Sequence, residues 1–95
     1  MAENRQPTQI VFNGRRILKA RGQALAHAKR AVELAGNDNA GLLDSLSAAY
    51  AELGDFEEAV RWQRKAVQIA SDEMKDQLAA HLELYKQGQP YRDSR

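Results

Sequence analysis

The sequence predicts an all-α fold of about four helices, arranged as antiparallel helix-turn-helix units. Apolar residues recur at three- and four-residue spacing from about residue 16 to residue 87, the period of a helix with one buried face. Glycine followed by a polar residue punctuates that pattern at Gly36, Gly54 and Gly88, and no stretch alternates with the two-residue period of a strand.

The first dozen residues are polar, contain Pro7 and carry no sustained period, so residues 1–15 are expected to form a polar, basic, disordered leader. From about Arg16 to Ala35 the chain is helix-prone, with Ala24, Leu25, Ala28, Ala31, Val32 and Ala35 as its apolar stripe. Gly22 either separates a short leading helix from this one or lies inside a single long helix, at a cost of about 1 kcal/mol relative to alanine. At "GNDN", Gly36 suits a left-handed C-terminal cap, and Asp38 or Asn39 can accept from the free N–H groups of the next helix.

That next helix, about Ala40 to Leu53, is expected to bury Leu42, Leu43, Leu46, Ala49, Tyr50 and Leu53. Gly54 ends it by tolerating φ > 0, and Asp55 caps its successor. The third helix, about Phe56 to Ala70, buries Phe56, Ala59, Val60, Ala66, Val67 and Ala70. Its first turn holds Glu57 and Glu58 and its later turns Arg61, Arg64 and Lys65, an order that suits the helix dipole and permits a Glu57–Arg61 pair. Ser71-Asp72 restarts the chain into a fourth helix, about Glu73 to Gln87, carrying Leu78, Leu82, Leu84 and Tyr85 before Gly88 and Pro90 stop it.

Laying residues 24–36, ALAHAKRAVELAG, over 59–71, AVRWQRKAVQIAS, gives a self-match at an offset of 35, with Ala24/Ala59, Ala31/Ala66, Val32/Val67 and Ala35/Ala70 identical. Gly54 recurs as Gly88 at an offset of 34. A helix pair recurring at about 34 residues resembles the tetratricopeptide repeat. Within residues 40–73, Leu43, Leu46 and Tyr50 have the spacing of that motif's first helix, Gly54, Asp55 and Phe56 its turn, and Ala59 and Ala66 the small residues of its second helix. Leu43 stands where the motif favours tryptophan, Ser47 where a smaller residue is usual, Gln63 in place of an aromatic and Ser71 in place of proline.

On this resemblance the helical domain spans 16–92. Residues 16–36 supply the second helix of a partial repeat, 40–73 a complete repeat and 74–88 a terminal capping helix, with 89–95 as the tail. The segment "LELYKQGQPYR" resembles the closing segment of many bacterial tetratricopeptide proteins. One complete repeat flanked by halves is fewer than the three or so that such solenoids need. A chain this short buries only about 60–70% of its unfolded surface. Hence the chain is expected to be either the end of a longer tetratricopeptide protein or a unit that completes its core by self-association.

The resemblance implies a solenoid fragment that acts as a scaffold, presenting first helices on a groove that holds a peptide or partner helix. The groove positions of the central helix are Asp44, Ser45, Ala48, Ala51 and Glu52, together with Gly41. The fourth helix adds Lys75, Leu78, Leu82 and Lys86. A small, mildly acidic groove of this kind suits an apolar or basic segment. Trp62 is expected to pack partly against a neighbouring unit.

No catalytic constellation can be assembled: His27 and His81 lack metal-ligand spacing and are expected at helix surfaces or boundaries, and no glycine-rich phosphate loop is present. No catalytic residue, metal or cofactor is therefore expected, and the chain is not expected to be an enzyme. With no cysteine, no secretory leader and no apolar run of about 20 residues, the chain is expected to be soluble and cytoplasmic, with no membrane partner.

The net charge of +1 is unevenly distributed: residues 1–30 hold seven bases against one acid, +6, and residues 31–95 seven bases against twelve acids, −5. An alternative function is nucleic-acid or acidic-partner binding through a basic patch of Arg15, Arg16, Lys19 and Arg21, with the repeats mediating self-association. Nucleic acid is the less expected partner, because the leader matches no nucleic-acid-binding motif.

Overall fold

A computed structural model describes residues 20–90. Among these, four helices and no strands are present: α1 over residues 20–35, α2 over Ala40–Glu52, α3 over Phe56–Ile69 and α4 over Asp72–Lys86. The protein is all-α, and the predicted helix order and number hold. The leader 1–15, residues 16–19 of the expected first helix and the end of the tail, 91–95, lie outside the described residues. Gly22 sits inside α1, so one helix runs through it.

Each start and stop follows from local chemistry. The Asn39 side chain accepts from the backbone N–H of Leu42 at 3.0 Å, and Asp55 from that of Glu58 at 3.3 Å, so both helices begin with one free donor satisfied. Ser71 makes no such bond, and α4 opens instead on Asp72 and Glu73, whose charges oppose the positive end of its dipole.

Gly54 and Gly88 adopt φ of 84° and 73°. Each closes its helix in the same way. Gly54 N–H donates to Ala51 O and Asp55 N–H to Tyr50 O, while Gly88 N–H donates to Tyr85 O and Gln89 N–H to Leu84 O. This paired pattern is the Schellman motif, which needs a left-handed residue at the glycine position. A Cβ built on Gly54 meets nothing within 4 Å, so a side chain there strains only the backbone. Gly54→Val is expected to lower stability by about 1 kcal/mol or more, and Gly54→Asn by clearly less, because asparagine tolerates the left-handed region. Equal melting temperatures for the two variants would count against this view of the turn.

α3 lies between α2 and α4. Its stripe of Ala59, Gln63 and Ala66 has no exposed surface at all. Ala66 closes a core with Val32, Leu43, Leu46 and Leu78, against which Leu25, Ala28, Tyr50 and Trp62 pack. Ala59 closes a second cluster with Ala51 and Tyr85, flanked by Phe56 and Val60. Alanine at both positions lets three helices approach closely, and the side chains interlock across the gap. α1 joins this core through Val32.

Two expectations of burial fail at the ends. Leu53, the C-cap residue at the end of α2, is 39% exposed. Ala24 and Ala35 of the α1 stripe are exposed. The Glu57–Arg61 pair is replaced by Glu58–Arg61 at 3.5 Å, and the Arg61 guanidinium lies 5.5 Å from the centre of the Trp62 ring. Trp62 is half-buried, and its Nε1–H donates to Glu58 Oε1 at 3.2 Å.

Candidate binding face

α2 carries two polar-to-small stripes one step apart around its axis, and they face different neighbours. Ser45, Ala48 and Glu52, spaced by three and four, turn toward α1. With Ala49 and, across the gap, Arg21, Ala24 and Ala28 of α1, they line an open cleft of about 380 Å³. One end is closed by Arg21, whose Nε lies 3.7 Å from Glu52 Oε1 and whose guanidinium also reaches the Glu52 carbonyl at 3.4 Å. Pairing neutralises the charge expected of Glu52, and the rest of the lining is methyl groups and one hydroxyl. The cleft is therefore apolar and shallow rather than acidic.

Asp44, Ser47 and Ala51 form the other stripe, and it faces inward. Ala51 is 3% exposed within the Ala59–Tyr85 cluster, so it belongs to the core and not to a groove. Leu78 is likewise buried, at 2%, because it shares with His81 and Tyr85 the face of α4 that meets α3. The groove expected from sequence thus mixed two faces of α2 and two of α4. Leu82 is half-buried. Lys75 is exposed, and Lys86 lines a separate cleft of about 560 Å³ with Phe56, Val60 and Tyr85, its Nζ 3.1 Å from Glu83.

Asp44 has the role that sequence reasoning missed. Its Oδ1 accepts from Gln63 Nε2 at 2.9 Å and contacts His81 Nδ1 at 3.0 Å, so it ties α2 to both α3 and α4. A carboxylate can only accept, which places the imidazole proton on Nδ1. The second Gln63 N–H donates to Leu78 O at 2.9 Å, so the amide nitrogen faces two acceptors and its orientation is fixed. Gln63 Oε1 is buried without a hydrogen-bond partner. His81 is 5% exposed, not the surface or boundary histidine expected. A signal existed: Gln63 falls between Ala59 and Ala66, and His81 between Leu78 and Tyr85, both at the spacing of a buried stripe. Ser47, the other polar core residue, donates its hydroxyl to Leu43 O at 3.0 Å.

Of the basic patch, Arg15, Arg16 and Lys19 lie outside the described residues, and Arg21 is engaged by Glu52. Among the described residues no helix is long and apolar enough to cross a membrane. His27, exposed on α1, belongs to no group of three or more His, Cys, Asp or Glu that could hold a metal ion among the described residues.

No family model, curated protein or solved structure matches this chain.

Proposed function

We propose that this chain is a non-catalytic protein-interaction module of tetratricopeptide type, which takes a helix or peptide of a protein partner across the face formed by α1 and α2. The observation that carries the proposal is the unequal cover of two matching helices. In α3 the stripe Ala59, Gln63, Ala66 is fully buried between α2 and α4. At the same offset of 35, α1 presents Ala24, Ala28 and Ala31, of which Ala24 is exposed and the other two are half-buried. Small side chains suited to close helix approach thus stand open beside the apolar cleft. A helix laid there would bury them as α2 buries its counterparts. A cysteine-free sequence agrees with the reducing cytoplasm as its compartment.

Site-specific photo-crosslinking tests the reading. A photoreactive residue at Ala24 or Ala48, both on this face, is expected to give protein adducts in cells expressing the full chain. One at Gln68, exposed elsewhere on α3, is expected to give none. Adducts independent of position, or adducts to nucleic acid from Ala24, would overturn it. No specific observation favours the nucleic-acid alternative, since the one described base of that patch is paired within the fold.

A further inference from the structure

α1 and α4 are complementary halves. In α2, Leu43, Leu46 and Tyr50 pack into the core that Ala66 of α3 closes. The two Schellman glycines, 34 residues apart, set the register between α2 and α4, and put Gln77, Ala80 and Leu84 at the equivalent positions. Gln77 and Ala80 are exposed and Leu84 half-buried, so α4 has the flank that would receive a following helix, and no helix among the described residues lies on it. α1 has the reverse condition: among the described residues, no helix precedes it to cover Ala24, Ala28 and Ala31 as α2 covers the matching stripe of α3. Leu34, three residues past Ala31 on the same stripe, is 75% exposed, whereas its counterpart Ile69 is 39% exposed.

Charge points the same way. Outside the Arg21–Glu52 pair, α1 holds Lys29 and Arg30 against Glu33, a net +1. α4 holds Asp72, Glu73, Asp76 and Glu83 against Lys75 and Lys86, a net −2. Pairing α1 with a second α1 sets like charge against like, while pairing it with α4 sets opposite charges together.

We propose that a second copy of this chain is the occupant, its α4 covering α1 as α2 covers α3, so that molecules stack head to tail into a continuous run of alternating helices. This inference rests on the interaction reading above and names the partner. The joint is weaker than the α2–α3 contact, because glutamine and alanine replace Leu43 and Leu46 in its seam. Assembly is therefore concentration- and salt-dependent, and open-ended, since a head-to-tail contact leaves one free face at each end.

Sedimentation of the full chain from micromolar to millimolar concentration tests it. The weight-average mass is expected to keep rising past that of a dimer at low salt and to fall toward the monomer at high salt. Glu73→Lys/Gln77→Lys breaks the α4 flank and His27→Glu/Arg30→Glu the α1 flank; all four residues are exposed, and circular dichroism checks that each variant folds. Each variant alone is expected to be monomeric. Their mixture is expected to regain mass above the monomer, because it brings together an intact pair of flanks and sets opposite charges on the two altered ones. A monomer at every concentration overturns the proposal, and so does a dimer indifferent to the α4 substitutions, which would signal pairing of α1 with itself. A monomer that still crosslinks through Ala24 to another protein refutes self-stacking alone and leaves the interaction reading standing.

Discussion

Leu43→Ala is expected to cost about 2–5 kcal/mol of folding stability, the range for removing a fully buried leucine and leaving a cavity behind. Leu43 has no exposed surface and sits in the core shared by Leu46, Ala66, Val32 and Leu78, so it contacts all four helices' common interior. Relaxation into the gap is limited: its core cluster includes Ala66, whose side chain cannot extend, and Leu78, held on the face of α4 that meets α3. At about 0.05–0.15 kcal/mol per residue, a domain of this size has only several kcal/mol in reserve. The variant is thus expected to be largely unfolded, or to lose most of its midpoint denaturant concentration. Leu53→Ala, at a residue 39% exposed, is the comparison and is expected to change little. Urea unfolding followed by circular dichroism measures both, and similar midpoints would show that the core is not where the structure places it.

Helix number, order and ends were legible because they depend on local chemistry. Gly54 and Gly88 mark left-handed caps, Asn39 and Asp55 accept from the first free amides, and the three-four spacing of Leu43, Leu46 and Tyr50 marks a buried face. What the spacing could not assign was which neighbour each face meets. α2 has helices on two sides, so Ala48 and Ala51, three residues apart and both small, fit a groove equally well on paper. Only the packed structure sends Ala51 to Ala59 and Tyr85 and leaves Ala48 at the cleft. Hydropathy also misplaces polar groups whose partners are distant in sequence. Asp44 meets Gln63 and His81 at separations of 19 and 37 residues, so nothing near any one of them shows that it will be satisfied. Polar residues enter an interior only when such partners exist, and α3 brings them together by lying between α2 and α4.

Asp44→Ala separates the two roles that sequence and structure give this residue. A groove aspartate facing water would be replaced at a cost within about 0.5 kcal/mol. The aspartate in the structure holds one of the two acceptors of the buried Gln63 amide and the contact to the His81 ring. Deleting it leaves a buried donor without its acceptor, at about 1–3 kcal/mol for that group alone. Asp44→Asn is expected to keep most of the stability, since its Oδ1 can still accept from Gln63. Gln63→Leu should restore part of what Asp44→Ala loses, because an apolar side chain of similar size needs no acceptor. The double variant is then less destabilised than the two single effects added together, with a coupling of about 0.5–3 kcal/mol between groups in direct contact. Thermal and urea unfolding of the three variants and the double variant close the cycle. Strict additivity would mean that Asp44 and Gln63 do not act as a pair, and that α2 is held to α3 by its apolar stripe alone.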